Sequence, residues 1–416
     1  MKIILKSAKI LQENNPLHGQ ICDIHIEGGR IQYIGQVEDS HPDAVYVRSE
    51  NLHVSLGWMD LGTHICEPGN EHRERLSETI RAARRGGYTS IFGVGDTIPN
   101  LQHGATIVQL VERARNLQFN LALLANISED RKGADLTEMH DLAAHGVAAF
   151  SDGLRSIQHG GLLLKALQYA SPFGGTIVHS AMDKQLSFEG FMHEGITSTM
   201  MGVRGIPSLA EYTKVRKDLD ILNYSGGKLC MHGISTKESA AALVHSKAAF
   251  TVPYLNLVKS DQDLAGFDSH LKVLPPIRST EDREALIQAL KESEQSAIIS
   301  NHVPREIEAK MLEFTYADFG AIGLETCFAA LNSSYISGLD LELIVDKLSA
   351  GPRHVLGLSK PMIETGMDAD LTVFDPSQSW KYDRSVSQSQ NSPFIGTTFR
   401  GKVIGTYSNN HWFENI

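Results

Sequence analysis

The sequence predicts an α/β chain, a (β/α)8 TIM barrel beside a small discontinuous β-sandwich domain, on three observations. Eight short apolar runs alternate with amphipathic helical segments through the middle of the chain, the pattern of successive βα units. Both ends read instead as alternating strands divided by turn residues. The 416 residues are 42% hydrophobic and 21% charged, enough for one large core and an accessory domain. The expected division is residues 1–53 plus 358–416 for the small domain and 54–357 for the barrel.

The opening stretches "KIILKSAKIL" and "CDIHIEGGRIQYIG" are the first strands, with Gly28-Gly29 placed as a hairpin turn. The barrel strands are expected in "HVSLGWMD", "YTSIFGVG", "FNLALLAN", "VAAFSDG", "GTIVHSA", "KLCMHGIS", "AAFTVPYL" and "SAIISNHVP". Between them, "RERLSETIRAARRGG" ends in a glycine pair suited to stopping a helix, and "STEDREALIQALKE" opens with a Ser279/Asp282 capping box. The tail returns to strands in "DADLTVFDP" and "FRGKVIGTYSNNHWF", and "SVSQSQNS" (385–392) reads as an exposed loop.

A formal charge of −11 and short basic stretches such as Arg81 to Arg85 argue against nucleic acid or an acidic membrane as partner. A small molecule or another protein is expected instead. Cys22, Cys66, Cys230 and Cys327 form no CxxC pair, so neither a disulfide framework nor a thiolate zinc site is suggested, and a cytoplasmic location fits. The N-terminus lacks the apolar core of a signal peptide, and no run of about 18 apolar residues is present.

Barrel enzymes carry their chemistry at the C-terminal ends of the strands. His64 follows the first run, Asp96 the second, Asp152 the fourth, His179 the fifth and His232 the sixth, and Asn301-His302 ends the eighth. With 18 histidines in the chain any one proves little, but three at the ends of three strands, aimed at one barrel mouth, form a convergent set.

The stretches "DLGTHICEPG", "RAARRGGYTS", "AFSDG", "GIPSLAE", "HGISTKES", "LPPIRSTEDREAL", "FGAIGLET" and "SPFIGTTFRGKV" resemble the dihydroorotases of the amidohydrolase superfamily along nearly the whole chain. That resemblance implies an amidohydrolase-type barrel, one or two zinc ions, and reversible hydrolysis of the cyclic amide of dihydroorotate to carbamoyl aspartate in pyrimidine biosynthesis. It implies His64, His179 and His232 as metal ligands. It also locates departures. Gly62 stands where the family has the first histidine of a pair, Gly153 where it has a bridging carboxylate, and Asn301 where it has a metal-binding, proton-shuttling aspartate. Glycine offers no ligand atom and an amide cannot take the proton. Loss of acid–base help alone costs about 10²- to 10⁴-fold in rate.

The substrate-facing positions implied by the resemblance drift too. Cys66 replaces an arginine that grips the substrate carboxylate, Asp96 an asparagine, Leu274 another asparagine and Arg305 a histidine; His302 is retained. Arg305 offers a replacement cation, although a solvated loop position is the expectation, and Cys66 offers a soft ligand or, as expected, an apolar filler. Asp152 is expected to face away from the mouth, and Asp60 and Glu67 to hold the first loop. The expectation is therefore a pseudoenzyme with a remnant site for at most one weakly held zinc, or none, and a doubtful small-molecule substrate. The resemblance implies aspartate transcarbamoylase as protein partner, and a homo-oligomer is expected. The alternative is a hydrolase working on one metal held by the three histidines, or acting on another cyclic amide.

Overall fold

The computed structural model describes residues 2–38 and 42–415. Eight parallel strands line one closed barrel: Trp58–Ile65 (β1), Tyr88–Gly95 (β2), Asn120–Leu124 (β3), Ala149–Phe150 (β4), Thr176–His179 (β5), Lys228–Met231 (β6), Ala249–Pro253 (β7) and Ser296–Ile299 (β8). Continuous ladders join β1 to β3 and β4 to β8. Single parallel bridges, Ala125 to Phe150 and Thr63 to His302, close the two remaining seams.

Each strand is followed by a helix, the last being Leu341–Leu356. The helix Leu76–Arg85 stops at Gly86, and Gly87 turns at φ +93° where a Cβ would come within 2.7 Å of the Trp58 ring. The helix Thr280–Glu292 opens on the expected capping box, the Ser279 hydroxyl accepting from the Asp282 amide at 3.2 Å and the Asp282 carboxylate accepting in return. Inside the barrel, alternate residues such as Met59, Leu61, Phe92 and Ile299 pack together, and Val355 and Leu356 join them from the last helix.

The chain ends form one sheet. Its order is His411–Glu414, Thr397–Ser408, Leu371–Tyr382, His53–Leu56, Lys2–Ile10, Ile21–Glu27, Arg30–Gly35, with Ala44–Val47 beside Lys2–Ile10. Its core includes Ile3, Leu5, Ile24, Val54, Val373 and Tyr407. The run "HVSLGWMD" is thereby divided: His53–Leu56 pairs with Leu371–Tyr382 in this sheet, and β1 begins after Gly57. A Cβ on Gly57 would come within 2.1 Å of Thr89 Oγ1, so the crossing between the two bodies needs a glycine.

The segment 385–392 departs from its expected exposure. Ser385, Ser387, Ser389, Asn391 and Ser392 are buried. The Ser387 hydroxyl donates to Glu74, that of Ser389 to the Arg73 carbonyl at 2.7 Å, and Asn391 Nδ2 to the carbonyls of Val303 and Gly320. Its polar residues are internal anchors that strap the loops after β1 and β8, which composition alone does not reveal.

Candidate active site at the barrel mouth

Backbone bonds beyond the strand ends fix the mouth. The amides of His64, Asp96 and His232 donate to the carbonyls of His302, Ile65 and His179 at 2.9, 3.0 and 2.9 Å. Beneath them Asp60, fully buried, stitches β1 to β8: it accepts from the Ser300 amide and hydroxyl at 2.7 and 2.8 Å, and from Gly62 N and Thr63 Oγ1. Glu67 accepts from the Leu76 amide at 2.8 Å and pairs with Arg113 at 2.6 Å, holding the first loop.

A side chain is crowded at Gly62 and conformationally strained at Gly153. A Cβ on Gly62 would lie 2.9 Å from Ile299 Cβ and 3.1 Å from the Asn301 amide nitrogen. Gly153 turns at φ +67°, and a Cβ there would lie 3.0 Å from Val94 Cγ1, 3.8 Å from His64 Cε1 and 3.9 Å from Arg131 Nη1. The position does face His64, and Arg131 from the loop after β3 lies beside it. Asn301, at φ +45°, donates its side-chain amide to the Leu274 carbonyl at 3.0 Å; asparagine tolerates this left-handed region better than most residues.

The three histidines are all buried, but they do not act as one ligand set. His179 Nε2 accepts from the Ile157 amide at 2.9 Å, and its Nδ1 lies 3.0 Å from Asp218, whose other oxygen pairs with Lys214 at 2.5 Å. The Nε2 lone pair is thus taken, while Nδ1 stands at ion-pair distance from Asp218 without a hydrogen bond. His232 Nδ1 contacts Thr251 Oγ1 at 3.1 Å, and burial pushes the imidazole down to about 4. His64 Nδ1 is buried with no partner among the described residues. Burial, and after it Arg305, His232 and Arg131, keep that ring neutral against the pull of Asp96.

Asp152 faces away from the mouth, accepting from the amides of Ile127 and Ser128 at 2.9 and 3.0 Å and from the Ser128 hydroxyl; burial raises its pKa above the usual carboxylate range. Cys66 is buried, and burial with the nearby carboxylates of Glu74 and Asp96 pushes its thiol far up. Among the described residues no group of three or more His, Cys, Asp or Glu side chains is placed to hold a metal ion.

The residues present do not fit a two-zinc centre, since the space beside Gly62 is occupied and His179 Nε2 already accepts from the Ile157 amide.

Two further expectations change. His302 is not a pocket residue: its Nε2 lies 3.0 Å from Glu74, and its Nδ1 accepts from the amides of Gly323 and Leu324, pinning the loop after β8. Arg305 is not a solvated loop residue. Its Nε donates to the Phe319 carbonyl at 2.9 Å and its Nη1 lies 3.7 Å from Asp96.

Asp96 also meets Arg73 at 3.3 Å and Arg131 at 3.2 Å. Burial disfavours its charge, but His64 and the arginines outweigh burial and lower its pKa. Sequence reasoning missed Arg73, Arg131 and Asp218, which lie in loops or on a helix outside any motif; the only trace of Arg131 is the charged turn "EDRKG".

A family model described as dihydro-orotase-like matches residues 53–239. The dihydroorotase of Syntrophus aciditrophicus (strain SB) is 34% identical over 417 residues, 98% of this chain and 97% of that protein. The chain belongs to the dihydroorotase family. The dihydroorotase of Pelotomaculum thermopropionicum is 33% identical over 414 residues, 96% of each chain. Among solved structures, an L-hydantoinase from Arthrobacter aurescens superposes with a TM-score of 0.84 at 21% identity, covering 99% of this chain and 96% of that one. A dihydropyrimidinase from Brevibacillus agri NCHU1002 gives 0.77 at 19% identity over 99% and 95%. These two likenesses bear on the amidohydrolase barrel fold, which this dihydroorotase-family chain shares. No helix among the described residues is long and apolar enough to cross a membrane.

Proposed function

We propose that this dihydroorotase-family chain is a non-catalytic member of the pyrimidine pathway, retained as a structural or regulatory partner of aspartate transcarbamoylase. The observation that carries the reading is the filled ligand position: Ile299 and the Asn301 backbone occupy the space a side chain at 62 would need. Ring hydrolysis needs an electrophile on the carbonyl, an activated water and a proton carrier. The Asn301 carboxamide is neither an acid nor a base near neutral pH, and its N–H is spent on the Leu274 carbonyl. A docking role is supported by Ile196 and Met200, one turn apart on the helix Ile196–Met201 and 79% and 83% exposed.

The test is turnover of dihydroorotate, and of carbamoyl aspartate in reverse, by the purified chain with zinc. A rate no higher than the no-enzyme control is expected. A zinc-dependent rate that disappears in His179→Ala would contradict the reading. Co-elution with the transcarbamoylase on a sizing column, lost in Met200→Glu, tests the partner; clean separation of the two wild-type proteins counts against it.

A further inference from the structure

At the end of the strands opposite the mouth, the base of the barrel is unfilled beneath β2 and β3. Phe92 and Leu124 point into the barrel, and the residues that share their faces toward the base are Ser90 on β2 and Ala122 and Asn120 on β3. All three are small or polar, and they border a cavity of about 530 Å³. Met59 and Phe92 keep 6% and 8% of their surface beside it, whereas Val94, the next inward residue of β2, keeps none. The cavity therefore reaches the interior layer of the barrel. Phe119 and Leu121, together with the helix Gly104–Asn116, complete apolar walls.

The small domain closes one edge of this space. Its strands Thr397–Ser408 and His411–Glu414 are joined by a two-residue turn, Asn409 and Asn410 at φ +51° and +61°, and Asn409 borders the cavity. Asn409 Nδ2 donates to the Gln118 carbonyl at 3.1 Å. His411 Nδ1 donates to the Asn409 carbonyl at 2.7 Å, which leaves Nε2 to accept from Gln118 Nε2 at 2.8 Å. The turn is thus seated on the barrel rather than hanging beside it.

Among the residues bordering the cavity, Arg115 carries the one charge. It pairs with Glu112 on its own helix, and both side chains are largely exposed, so the pair contributes little and Arg115 is free to turn to another anion. Arg84 adds a second cation at this edge, donating to the carbonyls of Leu117 and Gln118 at 2.7 and 3.1 Å. Ligand sites are typically clefts of about 300–1,000 Å³ with apolar walls and a few polar groups, and they favour the joints between domains.

We infer that the barrel base is a second binding site, for an amphiphilic anion whose aromatic or aliphatic body enters between Met59, Phe92, Phe119 and Leu121 and whose single anionic group meets Arg115. An occupant touches both the barrel strands and the Asn409 turn, so it ties the small domain to the barrel. The site is independent of what the mouth does.

The experiment is fluorescence titration of the native chain with two probes, 8-anilinonaphthalene-1-sulfonate and its uncharged counterpart N-phenyl-1-naphthylamine. Both should bind saturably at one site per chain. Arg115→Gln should weaken the sulfonate roughly tenfold and leave the uncharged probe unchanged, and Ala122→Phe, which fills the cavity, should abolish both. Equal weakening of the two probes in Arg115→Gln, or binding unchanged in Ala122→Phe, overturns the inference. If Ala122→Phe does not fold, Ser90→Leu fills the same space from β2 and takes its place. No saturable binding of either probe to wild type is the contrary result whichever variant is used.

Discussion

At Gly62 the difference between a missing ligand and a filled one has a testable cost. If glycine had merely deleted a side chain, restoring histidine would restore a ligand. With Ile299 Cβ at 2.9 Å and the Asn301 amide nitrogen at 3.1 Å from the new Cβ, Gly62→His is instead overpacked and should lose about 1–3 kcal/mol. Adding Ile299→Ala removes only the Cδ1 contact at 3.0 Å and keeps the Cβ and backbone ones, so thermal melts should show at most a small recovery in the double variant. Full stability in Gly62→His alone would refute the packing account. The substitutions at 62, 153 and 301 were legible in the sequence, because each removes a donor type. The commitment of His179 was not, because its partners, Ile157 and Asp218, lie on segments whose approach depends on the closed barrel.

Among the elements, the loops around the mouth are tied together by buried polar bonds. Ser387 from the strap, His302 and Thr79 all meet Glu74, so one carboxylate ties the strap to the loops after β1 and β8. Ser387→Ala should cost about 1–3 kcal/mol by leaving a buried carboxylate short of a donor. Proteolysis of the native chain should then start within 385–392, whereas an exposed loop would be cut equally in wild type. The eight strand runs and the Ser279 cap were readable because periodicity and capping are local signals. The strap was not: alternating serines look the same whether water or buried acids satisfy their hydroxyls, and the acids here lie in distant parts of the chain.

For the whole molecule, the barrel is intact while its mouth has exchanged ligands for ion pairs and packed side chains. Buried charge in the loop after β8 makes stability depend on pH. Lys272 donates to the carbonyls of Phe314, Thr315 and Ala317 at 2.9, 2.9 and 2.6 Å, and Lys310 to that of Asp318 at 2.6 Å, closing the long loop after β8. Burial, helped by Lys272 and Arg305, pushes Lys310 down to about 7; burial pushes Lys272 to about 8.

An unfolded lysine titrates near 10.4, so above pH 7 the unfolded chain binds more protons than the folded one, and stability should rise with pH. The buried thiols Cys66, Cys230 and Cys327, pushed up by burial, oppose this above about pH 8.5. Between pH 7 and 8.5 wild type should therefore gain on the order of 1 kcal/mol relative to Lys310→Met. Parallel Tm curves for the two would contradict the assignment.

The central claim is that preserved architecture surrounds a mouth unable to hold the zinc centre of its family, and zinc content tests it most directly. Protein purified from zinc-supplemented medium, washed without chelator and assayed for bound metal, should carry far less than one zinc per chain, with the same Tm before and after EDTA. One or two equivalents of zinc, lost in His179→Ala or His232→Ala, would contradict the account.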